Sequence, residues 1–124
     1  MAQAMEAHDA VALGACFAAD YRSEQPAHPA RAFRGADTVA KHWAGIFADV
    51  PDLRAETLAS AIDGKTVWSE IRWSGHKRDG AVFDVRGMMV MGIADGKITW
   101  ARLYLEPVEQ NGEGLEASVK RITR

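Results

Sequence analysis

The chain has 124 residues, a formal net charge of -2, and 48% hydrophobic against 26% charged residues. These values fit one soluble globular domain with a single core, and they exclude sequence-independent nucleic-acid binding, which needs a basic excess. No apolar run approaches the length of a membrane span, the N-terminus lacks the basic and apolar regions of a signal peptide, and the lone Cys16 cannot close an internal disulfide, so a cytoplasmic location is expected.

In chain order, residues of about 2–19 are rich in Ala, Leu, Met and Glu with apolar positions at helical spacing, which predicts one amphipathic helix. Tyr21 to Gln25 reads as a short strand. Pro26 and Pro29 then prevent regular structure. A second helix is expected over about 37–49, with Val39, Trp43, Ile46, Phe47 and Val50 as its apolar stripe and Pro51 as its stop.

The remainder reads as extended. Asp63-Gly64, Asp79-Gly80 and Asp95-Gly96 are turn signals that divide it into four strands, about 52–62, 66–77, 81–93 and 97–107, in an antiparallel meander. Three-residue loops at the turns would place Trp73 opposite Val85, Ile71 opposite Gly87 and Ser69 opposite Met89. On the next hairpin they would set Met89 against Ala101 and Gly87 against Leu103. One face is then almost wholly apolar, with Ser69, Ile71, Trp73, Gly87, Met89 and Leu103 among its members. The two helices are its only available cover. Residues 1–124 form a single domain with a core of about 5–109, and 110–124 read as a polar tail.

The order of elements, together with Phe17-Ala18-Ala19-Asp20-Tyr21, Gln25-Pro26, Phe33-Arg34-Gly35, Val39, Trp43, Asp95-Gly96-Lys97-Ile98, Tyr104, Glu106 and Pro107, resembles the nuclear transport factor 2-like superfamily and, within it, the SnoaL-like (polyketide cyclase-like) branch. The resemblance implies an α+β roll, cystatin-like, in which a cone-shaped curved antiparallel sheet packs on N-terminal helices around a pocket. It also implies frequent dimerisation through the outer face of the sheet. The fold hosts isomerases, cyclases, hydrolases, dehydratases and non-catalytic binders.

Two mechanisms of the superfamily are not supported by the residues present. Ketosteroid isomerases carry a proton-shuttling Asp before the Pro at the end of the first strand, and this chain has the non-basic Gln25 there. Limonene epoxide hydrolases use an Asp-Arg-Asp set whose positions fall on Ile71, Trp73 and Leu103, with their Tyr and Asn on Ser23 and Gln25.

The expected ligand-binding set is Tyr21, Ser23, Gln25, Trp43, Ile46, Ser69, Ile71, Trp73, Gly87, Met89 and Leu103. The bland alternative is that the polar members satisfy one another and buried water, and that Trp43, Trp73 and Met89 are simply core. Trp73 beside Gly87 suggests an indole over a glycine gap. His28 is the expected proton carrier, with Gln25 orienting substrate; its alternative is a solvated loop histidine. His8, His28, His42 and His76 are scattered, so no metal and no cofactor is expected. On the outer face Trp68, Val90 and Trp100 would form one cross-strand row with Met88 alongside and Arg102 nearby, a patch that suggests a homodimer interface. The functional expectation is a small hydrophobic-ligand-binding protein, either a cofactor-free lyase, isomerase, cyclase or hydrolase acting on a compact oxygenated molecule, or a non-catalytic binder. A third possibility is a dimeric module whose cone is filled.

Overall fold

The computed structural model describes residues 1–123. The chain is a mixed α+β domain. Helices α1 (Ala2–Glu6) and α2 (Ala10–Ala15) precede strand β1 (Phe17–Glu24). A 3-10 turn (Pro29–Arg31) and the two-residue β2 (Phe33–Arg34) lead to α3 (Ala36–Asp49). Four long strands follow, β3 (Arg54–Asp63), β4 (Thr66–His76), β5 (Val82–Ala94) and β6 (Lys97–Pro107), and α4 (Leu115–Thr123) ends the described chain. The strands form one six-stranded sheet in the order β2-β1-β6-β5-β4-β3, which does not close into a barrel. Every pairing is antiparallel except β1 with β6, which is parallel.

The single N-terminal helix read from the sequence is two helices. His8 adopts a positive φ of 55°, and Asp9 caps α2 by accepting a hydrogen bond from the Ala12 amide at 3.0 Å. His8 is pinned at the break. Its Nε2 pairs with the Leu53 carbonyl at 2.9 Å, and its ring stacks on Phe47. A local propensity for helix thus loses to a cap and a tertiary anchor. β1 also starts earlier than expected, at Phe17, because that residue pairs with Ile98 and the Ile98 amide bonds the Cys16 carbonyl. An irregularity between Phe17 and Arg22 sets Phe17, Tyr21 and Ser23 on the buried side.

The β4–β5 register is the one the sequence indicates, with Trp73 opposite Val85, Ile71 opposite Gly87 and Ser69 opposite Met89. The β5–β6 register is not. Met89 faces Leu103, Gly87 faces Leu105 and Met91 faces Ala101. The turn there is a tight two-residue Asp95-Gly96 hairpin with φ of 51° and 74°, the signature of a primed turn, and the register then shifts between Gly92 and Ile93. The net displacement is even, so the inner face keeps its members. The outer row changes: Trp68 and Val90 align with Arg102, whereas Trp100 lies opposite Gly92. The expected glycine gap also moves. A β-carbon at Gly87 would meet the Tyr104 and Leu105 backbone, not the Trp73 indole.

The core lies between the inner face and the helices. Leu13, Val39, Phe47, Val50, Ile71, Met89, Met91, Ala101 and Leu105 are buried there, and burial of such side chains drives folding at about 25 cal/mol per Å² of apolar surface. The β4–β5 hairpin closes the C-terminal end of α3. Arg78 donates Nε to the Ala48 carbonyl at 2.6 Å and its backbone amide to Asp49, which satisfies helix-end carbonyls that otherwise lack partners. β3 is an outer strand of the sheet. It carries a bulge at Leu58, where Thr57 pairs with Ile71 and Ala59 with Glu70.

Candidate functional site

The site is built where β1, α3 and the inner face meet. Phe17, Tyr21 and Ser23 descend one side of β1, with Phe17 edge-on to Tyr21 at 4.7 Å and Tyr21 edge-on to Phe33 at 6.0 Å. From α3, Val39, His42, Trp43 and Ile46 project toward them at helical spacing. From the sheet come Trp73, Met89 and Leu103. The Trp43 and Trp73 indoles meet edge-to-face at 4.7 Å.

Together these groups enclose a cavity of about 180 Å³. That is close to the ~150 Å³ that admits a benzene ring and smaller than most drug-sized pockets. Its polar wall is Tyr21, Ser23, Gln25 and His42. Among the described residues no carboxylate, lysine or arginine side chain lines it. Tyr21 and Ser23 are each 3% exposed. Burial pushes the Tyr21 phenol above its ordinary range, and the neighbouring Ser23 hydroxyl offsets part of that rise. Tyr21 is therefore a neutral hydrogen-bond donor at physiological pH.

The structure gathers eight of the expected ligand-binding residues around this cavity: Tyr21, Ser23, Gln25, Trp43, Ile46, Trp73, Met89 and Leu103. Ser69 is buried in the sheet, Ile71 lines a neighbouring crevice beside Met1 and Met5, and Gly87 packs against backbone. His28 lies outside the cavity wall. Its Nε2 pairs with Glu106 Oε1 at 2.5 Å, on the side of the sheet away from the helices. The Gln25 side-chain oxygen Oε1 accepts from Arg31 Nη1 at 3.1 Å.

His42 is not among the expected ligand-binding residues, yet it lines the cavity. It stands edge-on to Phe33 at 5.2 Å on the cavity wall. In the sequence it stands out only as one of four scattered histidines, yet it falls three residues after Val39 and four before Ile46, on the apolar stripe itself. Among the described residues no group of three or more His, Cys, Asp or Glu could hold a metal ion, and no helix is long and apolar enough to cross a membrane.

A second, open depression of about 380 Å³ lies beside the first, lined by Arg22, Glu24, Pro26, Pro29 and Arg34. It shares Ser23, Gln25 and Phe33 with the cavity. On the outer face the Arg102 guanidinium sits 4.7 Å from the Trp100 ring centre, while Trp68, Met88 and Tyr104 are 37%, 37% and 46% exposed.

Among solved structures, the chain is similar to a hypothetical protein with a ketosteroid isomerase-like fold from Catenulispora acidiphila DSM 44928, in complex with trimethylamine. The identity is 22%, the TM-score 0.70, and the match covers 82% of this chain and 78% of that one. It is also similar to an LEH-like epoxide hydrolase of M. tuberculosis, at 19% identity and a TM-score of 0.71 over 85% and 76% of the two chains. A protein described as a SnoaL-like polyketide cyclase from Jannaschia sp. CCS1 matches at 19% identity with a TM-score of 0.65 over 78% and 72%. At these identities the likeness is one of fold. No curated protein matches the chain. The model of the SnoaL-like domain matches residues 1–101, and the chain accordingly belongs to the SnoaL-like domain family.

Proposed function

We propose that the protein binds a compact, hydrophobic, oxygen-bearing molecule inside the cone. The observation that carries this reading is the composition of the cavity wall: aromatic and aliphatic side chains on most sides, with the Tyr21 and Ser23 hydroxyls, the Gln25 amide and the His42 imidazole grouped toward β1 and α3. An apolar hollow with a few convergent polar groups is the usual form of a small-molecule site. The volume limits the enclosed part of the ligand to roughly one six-membered ring with small substituents.

If the ligand is a substrate, its chemistry is proton transfer. Tyr21 and His42 are the titratable side chains on the wall. Tyr21, neutral and buried, would donate to a ligand oxygen and stabilise charge that develops on it. His42 would take and return the proton. This set replaces the charged groups that isomerases and epoxide hydrolases of similar fold place on the positions of Gln25, Ile71, Trp73 and Leu103.

The test is a titration of intrinsic tryptophan fluorescence with cyclohexanone and with phenol, since two indoles line the cavity. A saturable change is expected, and Leu103→Trp, which fills the cavity, should abolish it. Absence of saturable binding by either probe would overturn the reading.

We also infer a two-fold dimer through the outer face. The support is the exposed apolar centre formed by Trp68, Met88 and Tyr104. Large apolar patches on a sheet surface ordinarily mark a protein contact.

A further inference from the structure

Two hollows meet at the end of β1, and they differ in charge. The enclosed cavity has no charged side chain on its wall, whereas the open depression across Ser23, Gln25 and Phe33 carries Arg22 and Arg34. These two arginines lie directly opposite one another in the β1–β2 register. Like charges at directly opposed positions repel.

No neighbouring polar side chain is bonded to either arginine among the described residues. Arg31 is committed to Gln25, and His28 to Glu106. Glu24 lines the same depression on the same strand face as Arg22, and among the described residues its carboxylate pairs with neither arginine. Among the described residues Arg22 and Arg34 make no side-chain hydrogen bond or ion pair. Two uncommitted guanidinium forks side by side, in a concave wall, form a receptor for a carboxylate or a phosphate.

We propose that the ligand is an amphiphilic anion, with its apolar body in the cone and its carboxylate or phosphate held outside by Arg22 and Arg34. The proposal rests on the reading that the cone takes a hydrophobic molecule, and it adds the ligand's charge and where that charge is held. The ligand passes the end of β1 at Gln25, so its two parts are joined by a flexible or extended linker. Arg22 and Arg34 project from the face of the sheet opposite to Ser23 and Phe33, so the linker rounds the sheet edge at Gln25, and the three residues from Arg22 to Gln25, about 10 Å of extended chain, set its least length.

The experiment is calorimetric titration with a series of ω-phenyl carboxylates, from phenylacetate through 4-phenylbutyrate to 8-phenyloctanoate. The matched ω-phenyl alcohols serve as neutral controls. At the best chain length the acid should bind about tenfold more tightly than the alcohol. The double variant Arg22→Gln, Arg34→Gln should lose that preference while keeping the parent's affinity for the alcohol and its melting temperature. Equal affinity for acid and alcohol in the parent, or an unchanged preference in the double variant, overturns the anion site and leaves the apolar cavity standing. Failure of both acid and alcohol to bind overturns the cavity reading itself, and this proposal with it. Repeating the best length as its phosphate monoester separates the two anions, and a preference for either supports the proposal and names the headgroup.

Discussion

The Trp100 indole lies over Gly92 on the outer face of the sheet, in the space where a β-carbon at residue 92 would fall. The two residues are register partners on β5 and β6, and the Arg102 guanidinium sits 4.7 Å from the ring centre. Any side chain at position 92 must displace the indole and disturb that stack. Gly92→Val is therefore expected to destabilise the fold by about 1–3 kcal/mol through overpacking. In urea unfolding, Gly92→Ala combined with Trp100→Leu should recover part of the loss that Gly92→Ala causes alone, because the smaller partner vacates the contested space. Strictly additive losses would show that the indole is not the obstacle.

Tyr21 offers a spectroscopic prediction. The chain has two tyrosines, Tyr21 and Tyr104. Burial raises the Tyr21 phenol, whereas Tyr104 is exposed. Alkaline titration followed by tyrosinate absorbance should show a late phase that disappears in Tyr21→Phe. The sign for stability follows from the same shift. A phenol whose folded pKa lies above the unfolded value, near ~10, favours the fold below that value, and the contribution is lost as pH rises through the folded pKa. Tyr21→Phe should therefore flatten the alkaline limb of the stability curve and weaken cyclohexanone binding at neutral pH.

Asp52 gives the opposite sign. It accepts from the His76 backbone amide at 2.7 Å and pairs with the ring Nδ1 at 2.8 Å, and these contacts hold its carboxyl below the usual carboxylate range. A depressed carboxyl stabilises the fold above its unfolded pKa, near ~4, and the effect is lost as pH falls through the folded value. Asp52→Asn should lower the denaturation midpoint slightly at pH 7, since the pair is exposed and screened. The gap between parent and variant should close at strongly acidic pH. A gap that is constant across the range would mean that the carboxylate contributes nothing beyond the amide's own hydrogen bonds.

The inferred dimer is best probed at Trp68. Trp100→Glu would confound association with damage to the stack over Gly92. Trp68 is a partly exposed centre of the patch without that role. Sedimentation velocity should find a dimer for the parent and a monomer for Trp68→Glu with unchanged far-ultraviolet circular dichroism. A monomeric parent at micromolar concentration would end the interface reading.

Much of this architecture was legible from alternation alone, because one face of the sheet is buried and a one-residue slip would have exposed it. The Asp79-Gly80 hairpin follows the assumed three-residue loop, and so the pairing of Trp73 with Val85 came out directly. The Asp95-Gly96 hairpin uses a shorter turn and a bulge, devices that leave the face pattern intact and hence leave little trace in it. That is why Trp100 was placed beside Val90 instead of Gly92. The break at His8 was hidden by helix-forming neighbours on both sides, with Asp9 as the one local signal of a new start. Two-residue β2 is too short to carry any periodicity. At the site, the sheet and β1 contributions follow from the inner-face register, whereas His42 is not part of the apolar pattern that defines the α3 stripe, and its place on the cavity wall emerges only from the packing of α3.

The bulge at Leu58 bears on how copies of the molecule meet along their edges. β3 is ten residues long and, among the described strands, pairs with β4 alone, while the Glu6 carboxylate takes its Ala55 amide. A straight edge of that length exposes a continuous row of unpaired amides and carbonyls, a template on which the strand of another molecule can grow. The extra residue at Leu58 bends the strand and interrupts that row. An incoming strand finds two short stretches out of step with each other. The insertion thus guards against ribbon growth along the open flank, and Leu58 deletion would be the change that exposes this chain to fibrous self-assembly.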